Sequence, residues 1–243
     1  MKLNNKTILI TGATSGIGKA LTEQLYKNNT LICLARNEKK LQALKSDYPE
    51  ISTILVDLAD IENLPNAIKP LQNSHHRIDV LINNAAIQYE VWFTENSFDY
   101  HKIITEINTN LTSVCCLSYL LLPTLVHAKE SAIVNINSGL AYAAKSSSAV
   151  YCATKAALNG FTQSLRYQLE NSTTAVYQAF LPLVETPMAA SRNSAKLSAN
   201  KAAEQIIYGI EHRIADHVIG KARLLKWLMR WLPAVGKAII KNS

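Results

Sequence analysis

The sequence predicts an α/β fold, a doubly wound parallel sheet in a single domain. Three observations carry this. Short runs rich in Ile, Leu and Val alternate with longer stretches of helical periodicity. The runs are apolar almost throughout, as strands are when helices cover both faces of a sheet. A glycine-rich string follows the first run directly, at a junction where open α/β sheets bind ligands. With 243 residues, 48% hydrophobic and 18% charged, the chain can bury one large core and does not have the composition of a disordered one. Its 8 Gly and 7 Pro are scattered and no repeat or linker breaks the pattern, so a second domain is not expected.

Taken in order, strands are expected at Thr7–Thr11, Leu31–Ala35, Ser52–Val56, Asp79–Asn83, Ala132–Asn137 and Thr174–Leu181, with a short seventh at His217–Ile219. Helices are expected at 17–28, 38–47, 60–72, 97–127, 150–171 and 199–213. Cys33, Cys115, Cys116 and Cys152 lie in apolar runs without metal-ligand spacing and read as reduced core residues. His75 and His76 read as a polar loop, and no metal site is expected.

The chain opens on a strand instead of a leader peptide, and its longest apolar runs, as around Val114–Leu125, carry Ser, Tyr, Pro and Thr. A cytoplasmic protein that does not cross a bilayer is therefore expected. The net charge is +7, yet up to Gly220 basic and acidic side chains nearly balance, and the six basic residues beyond it supply almost the whole excess. So local an excess argues against a nucleic-acid surface.

After the first strand comes Thr11-Gly12-Ala13-Thr14-Ser15-Gly16-Ile17-Gly18, opening a helix. Gly12 permits a tight turn, Gly16 a close backbone approach to a pyrophosphate, and Gly18 close helix packing. The helix N-terminus offers N–H groups and partial positive charge to phosphates. A Rossmann-like dinucleotide site is the expected consequence.

Tyr151 and Lys155 lie four apart on a predicted helix and share a face. A neighbouring ammonium favours the phenolate of a tyrosine, which could then exchange a proton with a carbonyl or alcohol oxygen. Alone, the pair reads as an ordinary exposed i, i+4 contact. Ser138 changes that balance, because it ends a predicted strand 13 residues earlier, at the sheet edge where ligands bind.

The spacing TGxxxGxG, Asp57 after strand three, Asn83-Asn84-Ala85 after strand four, Asn110 in the long helix, Ser138 and Tyr151-Cys152-Ala153-Thr154-Lys155 occur in order. Together they resemble the short-chain dehydrogenase/reductase family over residues 5–220. The strings NNAAIQ, SGLA and YCATKAAL resemble its bacterial branch that includes oxidoreductases of lipoteichoic-acid operons.

The resemblance implies that Tyr151 is the general acid/base, that Ser138 hydrogen-bonds the substrate oxygen, and that Lys155 tunes the tyrosine and holds the nicotinamide ribose. It implies that Asn110 positions a water in a proton relay; a polar residue satisfied locally is the other reading. The implied cofactor contacts are Gly12, Thr14, Ser15, Gly16, Ile17, Gly18, Arg36, Asn37, Asp57, Leu58, Asn84, Ala85, Tyr151, Lys155, Val184 and Thr186. Ala35-Arg36 ends strand two where an acidic residue would select NAD(H); Arg36 instead offers a guanidinium to a 2′-phosphate, so NADP(H) is favoured. Asp57 can also be a helix cap, and Arg36 a solvated charge. Two departures stand out: Ala86 replaces the glycine of NNAG, and Leu181-Pro182 replaces a Pro-Gly pair.

The implied activity is an NADP(H)-dependent oxidoreductase acting on an apolar carbonyl or alcohol substrate, as a homodimer or homotetramer through the helices holding Asn110 and Tyr151. The alternatives are a carrier-bound 3-oxoacyl reductase and a dinucleotide-binding sensor without turnover. Tyr89, Trp92, Leu140, Tyr142, Leu183 and Met188 are expected to form an apolar pocket, under a lid at Pro187–Asn200. Residues 1–220 form the catalytic domain and residues 221–243 a basic tail, with Leu224, Leu228, Trp231 and Leu232 on one side of a helix and Arg223, Lys226 and Arg230 on the other. The main reading is that the apolar stripe packs on the domain or a partner subunit. The other is peripheral contact with an anionic membrane.

Overall fold

The computed structural model describes residues 1–74, 77–90, 92–95, 98–126, 128–190, 192 and 195–241. The expected loop at His75 and His76 lies outside them. The strands are β1 (Thr7–Thr11), β2 (Thr30–Ala35), β3 (Ser52–Leu55), β4 (Val80–Asn83), β5 (Ser131–Ser138), β6 (Thr174–Leu181) and β7 (Asp216–Val218). They pair in parallel in the order β3-β2-β1-β4-β5-β6-β7. The order reverses between β1 and β4, which opens a crevice at the strands' carboxyl ends.

Successive strand residues point to opposite faces. Ile8 and Ile10 of β1, with Leu31 and Cys33 of β2, meet α1 (Gly16–Leu25), α2 (Glu38–Asp47) and α7 (Ala199–Glu211) through Leu21, Leu41 and Ile206. Leu9, Ile32 and Leu34 face the other way, onto α3 (Leu64–Ser74) and α5 (Ser113–Val126) through Leu64, Ile68, Leu117 and Leu121. This two-sided burial explains the continuous apolar runs. β3 differs: Thr53 and Leu55 are exposed because it is an edge strand.

The expected helix over 97–127 is not a single α-helix among the described residues. It forms α4 (His101–Ile107), a π-helical turn at Asn108–Thr112, and α5. The run from His101 to Val126 is long and apolar enough in composition to span a bilayer. Here it is a core helix, with Leu117, Leu121 and Leu125 fully buried against the sheet. Cys33 and Cys152 are buried as expected, whereas Cys115 and Cys116 are only half-buried; all four are free thiols.

Beyond α6 (Ala149–Gln168) and α7, the tail folds into a helical hairpin, α8 (Ala222–Trp231) and α9 (Pro233–Lys241). Gly236 lets α9 approach α8, since a Cβ there would lie 2.9 Å from Met229 Sδ. The stripe named for packing does not pack on the domain as expected, and of its four residues only Leu228 is half-buried. Ala222 and Leu225 face inward, while Leu224, Trp231 and Leu232 are exposed together with Trp227, Val235 and Ile239.

Candidate active site

A cleft of about 980 Å³ runs along the carboxyl ends of the strands. Gly12, Thr14, Ser15, Gly16 and Ile17 line it between β1 and α1. Gly12 and Gly16 have φ of +66° and +51°, a region costly for side chains. A Cβ at Gly16 would stand 2.8 Å from Thr186 Cγ2. Gly18 is not on the cleft wall: a Cβ there would lie 2.2 Å from Gly12 O, so it serves helix packing rather than ligand contact. The Thr11 hydroxyl accepts the N–H groups of Asn84 and Ala85 at 2.9 and 3.0 Å, and Asn84 Nδ2 donates to Thr11 O at 2.9 Å. The NNA segment thereby buttresses the glycine turn as well as lining the cleft.

At one end stand Arg36, Asn37, Asp57 and Leu58, joined by Lys40, which the sequence reading missed. Asn37 caps α2 by accepting the Lys40 N–H at 2.9 Å, which sets Lys40 in the first turn beside Arg36. The spacing Arg-x-x-x-Lys across a helix start was the available signal. Asp57 accepts the Ala59 N–H at 3.0 Å, so it has a turn-capping role alongside its place on the wall.

At the other end Ser138 closes β5, and Tyr151 and Lys155 reach the cleft from the first turns of α6. Ser138 stands beside the Tyr151 side chain on the cleft wall. Lys155 is buried, donates to Ile136 O at 2.9 Å, and has its Nζ 5.7 Å from the Tyr151 ring centroid. Burial pushes the Tyr151 phenol up to about 12, against the lowering influence of Ser138 and Arg192. It pulls the Lys155 ammonium down to about 8. Burial thus favours the protonated phenol.

Asn110 sits in the π turn, fully buried and off the cleft wall. Its side chain exchanges two hydrogen bonds with the Ile87 backbone and donates to Thr154 Oγ1 at 3.3 Å. These bonds reach 23 and 44 positions along the chain and pin the cleft wall after β4. Buried amides and hydroxyls, among them Asn83–Asn135 and Asn135–Thr162 at 2.9 Å, lock β4, β5 and α6 together beneath the site.

Of the expected apolar pocket, Tyr89, Leu140, Leu183 and Met188 line the cleft, with Ile87, Leu225 and Ile240. Trp92 is exposed and absent from the wall, and Tyr142 turns away to stack on Phe180 at 4.7 Å. Val184 and Thr186 reach the wall, and the expected lid is tied down where Leu197 N–H donates to Leu183 O at 3.0 Å. Ser191, Asn193 and Ser194 of that segment lie outside the described residues. Lys145, Arg192 and Lys221 also line the cleft and were missed.

The fold and cleft define a dinucleotide-binding α/β protein of the doubly wound class. The family model for short chain dehydrogenases matches residues 6–197, and the chain belongs to that family. It is 37% identical over 188 residues to the uncharacterized oxidoreductase DltE of Bacillus subtilis, covering 76% of this chain and 74% of that protein. It is 31% identical over 245 residues to an NADP-dependent 3-hydroxy acid dehydrogenase of Schizosaccharomyces pombe, covering 90% and 93%. Among solved structures, a Burkholderia cenocepacia short chain dehydrogenase in complex with NADP superposes with a TM-score of 0.88 at 21% identity, covering all of both chains. A Burkholderia phymatum member in complex with NAD gives 0.84 at 18%, covering 100% of this chain and 97% of that one.

Proposed function

We propose that this chain is an NADP(H)-dependent oxidoreductase of carbonyl or alcohol substrates with an apolar body, with Tyr151 as the general acid/base. The observation that carries this is the convergence of Ser138, Tyr151 and Lys155 on one wall of the cleft that begins at the glycine turn. The glycine cradle, which side chains would fill, fits a dinucleotide pyrophosphate. Arg36 and Lys40 suit a 2′-phosphate, and the similarity to a dehydrogenase named for NADP supports that choice over NAD. A nicotinamide held in this cleft would supply or accept the hydride.

Everything else falls to the chain. Ser138 and Tyr151 hydrogen-bond the substrate oxygen, and the protonated phenol donates to it during reduction. Lys155 would hold the nicotinamide ribose, and its ammonium, pulled down to about 8 by burial, restores the tyrosine proton. Asn110 acts as a positioning residue through Ile87. Thr14, Ser15, Ile17, Asn37, Asp57, Leu58, Ala85, Val184 and Thr186 shape the dinucleotide half.

Residues 1–220 supply this machinery in a cytoplasmic enzyme. Exposed Ile104 and Tyr119, on α4 and α5, and Tyr167 on α6 support assembly into a homodimer or homotetramer through those helices. The exposed tryptophans of the hairpin, among six basic residues, support peripheral contact with an anionic membrane. A screen of ketones and acetoacetyl-carrier for NADPH oxidation tests the activity. Turnover of the carrier substrate alone would favour the 3-oxoacyl reading, and dinucleotide binding without any turnover the sensor reading.

A further inference from the structure

The far end of the cleft is walled by apolar side chains, Leu183, Leu225 and Ile240, and by three cations, Lys145, Arg192 and Lys221. Among the described residues the one carboxylate on the wall is Asp57, at the opposite end. A substrate site of this composition suits an amphipathic anion better than a neutral ketone.

Two of the cations are organised. Arg192 donates from Nε and Nη2 to Glu90 Oε1 at 3.1 and 2.6 Å, and Lys145 Nζ donates to the same oxygen at 3.1 Å. The Lys145 and Arg192 side chains are only 12% and 18% exposed, against 39% for Glu90, so the cations sit deeper than the acid. Lys145 is fixed beside the reacting group, because its backbone N–H donates to the sulfur of Cys152 at 3.3 Å, next to Tyr151. The Arg192 charge acts on Tyr151 itself. A carboxylate oxygen of Glu90, itself off the cleft wall, thus already occupies a three-donor fork made by two wall residues.

We propose that Lys145 and Arg192 form the carboxylate-binding end of the substrate site, that the substrate is an oxo or hydroxy acid with an apolar body, and that Glu90 is its internal competitor. The substrate class rests on the reductase reading; the anion site does not. Two cations against one acid leave a net positive charge when Glu90 is in place. A substrate carboxylate on the same donors keeps the charge-assisted bonds and releases Glu90 toward water. The internal competitor also prevents the empty fork from leaving two half-buried cations unpaired.

The test compares octanoate with octanamide, which share shape but not charge, binding to the full chain with and without NADP as measured by calorimetry. Octanoate should bind roughly tenfold tighter or more, the worth of a charge-assisted hydrogen bond. Arg192→Gln and Lys145→Gln should each shrink that ratio severalfold. Glu90→Gln should raise octanoate affinity, because a competitor is removed; a mere strut for the loop would lower both affinities together. Equal binding of the two probes, no octanoate binding at millimolar concentration, or loss of octanoate affinity in Glu90→Gln would overturn the proposal. So would tighter binding of phosphopantetheine than of octanoate, which assigns the fork to a carrier phosphate. Turnover of 3- to 6-oxo-octanoates and their methyl esters separates the two claims. Esters reduced as well as acids, with no octanoate preference, refute the anion site alone. Octanoate preference without any turnover refutes the reductase reading alone.

Discussion

Asn110 and Ile87 exchange a reciprocal pair of hydrogen bonds: the Ile87 N–H donates to Asn110 Oδ1, and Asn110 Nδ2 donates to Ile87 O, both at 2.8 Å. A side-chain amide thereby completes the backbone of the chain leaving β4, as a neighbouring strand would. Asn110→Ala leaves a buried N–H and C=O without partners, and should cost roughly 2 kcal/mol or more in urea unfolding. It should also lower kcat, because residues 86–89 line the same cleft as Tyr151. Unchanged stability would mean that water replaces the amide.

On the proposed reading, Arg36 and Lys40 divide the phosphate role. Each substitution by Ala should weaken NADPH by roughly 1–3 kcal/mol, with little effect on NADH, and the double variant should bind the two alike. Titration by nucleotide fluorescence reads this directly. Equal losses for both nucleotides would refute the phosphate role.

Glu106 is buried in α4 and accepts the Tyr89 N–H at 3.3 Å; burial pushes its carboxyl up to about 7, more than that hydrogen bond lowers it. A folded-state value above the unfolded one gives stability that is full at acid pH and lost as pH rises through about 7. Relative to Glu106→Gln, the wild type should therefore lose about 2–3 kcal/mol between pH 5 and pH 8. Chemical denaturation at the two pH values measures it; a flat difference would contradict the raised value. Lys155 acts in the other assay. Reduction should slow as pH rises past about 8, where its ammonium loses the proton that resupplies Tyr151.

The hairpin carries Trp227 and Trp231 exposed on its outer side and joins the cleft through Leu225 and Ile240. The full chain should float with anionic vesicles at low salt and less so at high salt, while a truncation after Gly220 should not. Equal behaviour of the two would dismiss membrane contact. Loss of the oligomer in the truncation would assign the outer face to a partner subunit.

What was legible in the sequence was local. The glycine string, Ser138 at a strand end and Tyr151-x-x-x-Lys155 each carry their geometry in a few consecutive residues. So do the strands, whose two-sided burial leaves continuous apolar runs. The π turn at Asn108–Thr112 left no such trace, because the hydrogen bonds of Asn110 to Ile87 that accompany it span 23 positions. Glu90 and Arg192 are 102 positions apart, and nothing local in either announces a shared site. Tyr142 looked like a pocket residue from its place after Ser138, yet stacking on Phe180 turns it inward. The exposure of Leu55 and of the tail stripe depends on which element lies at an edge, which periodicity does not specify.

On the proposed function, Tyr151 moves the proton while the rest of the cleft holds the dinucleotide. Tyr151→Phe should be compared with wild type by NADPH titration and by single-turnover oxidation of NADPH with a substrate from the ketone screen. NADPH affinity should stay within a few-fold of wild type and turnover should fall by at least about a thousandfold, because the phenol acts in the transition state. Substantial residual turnover in that variant would contradict it.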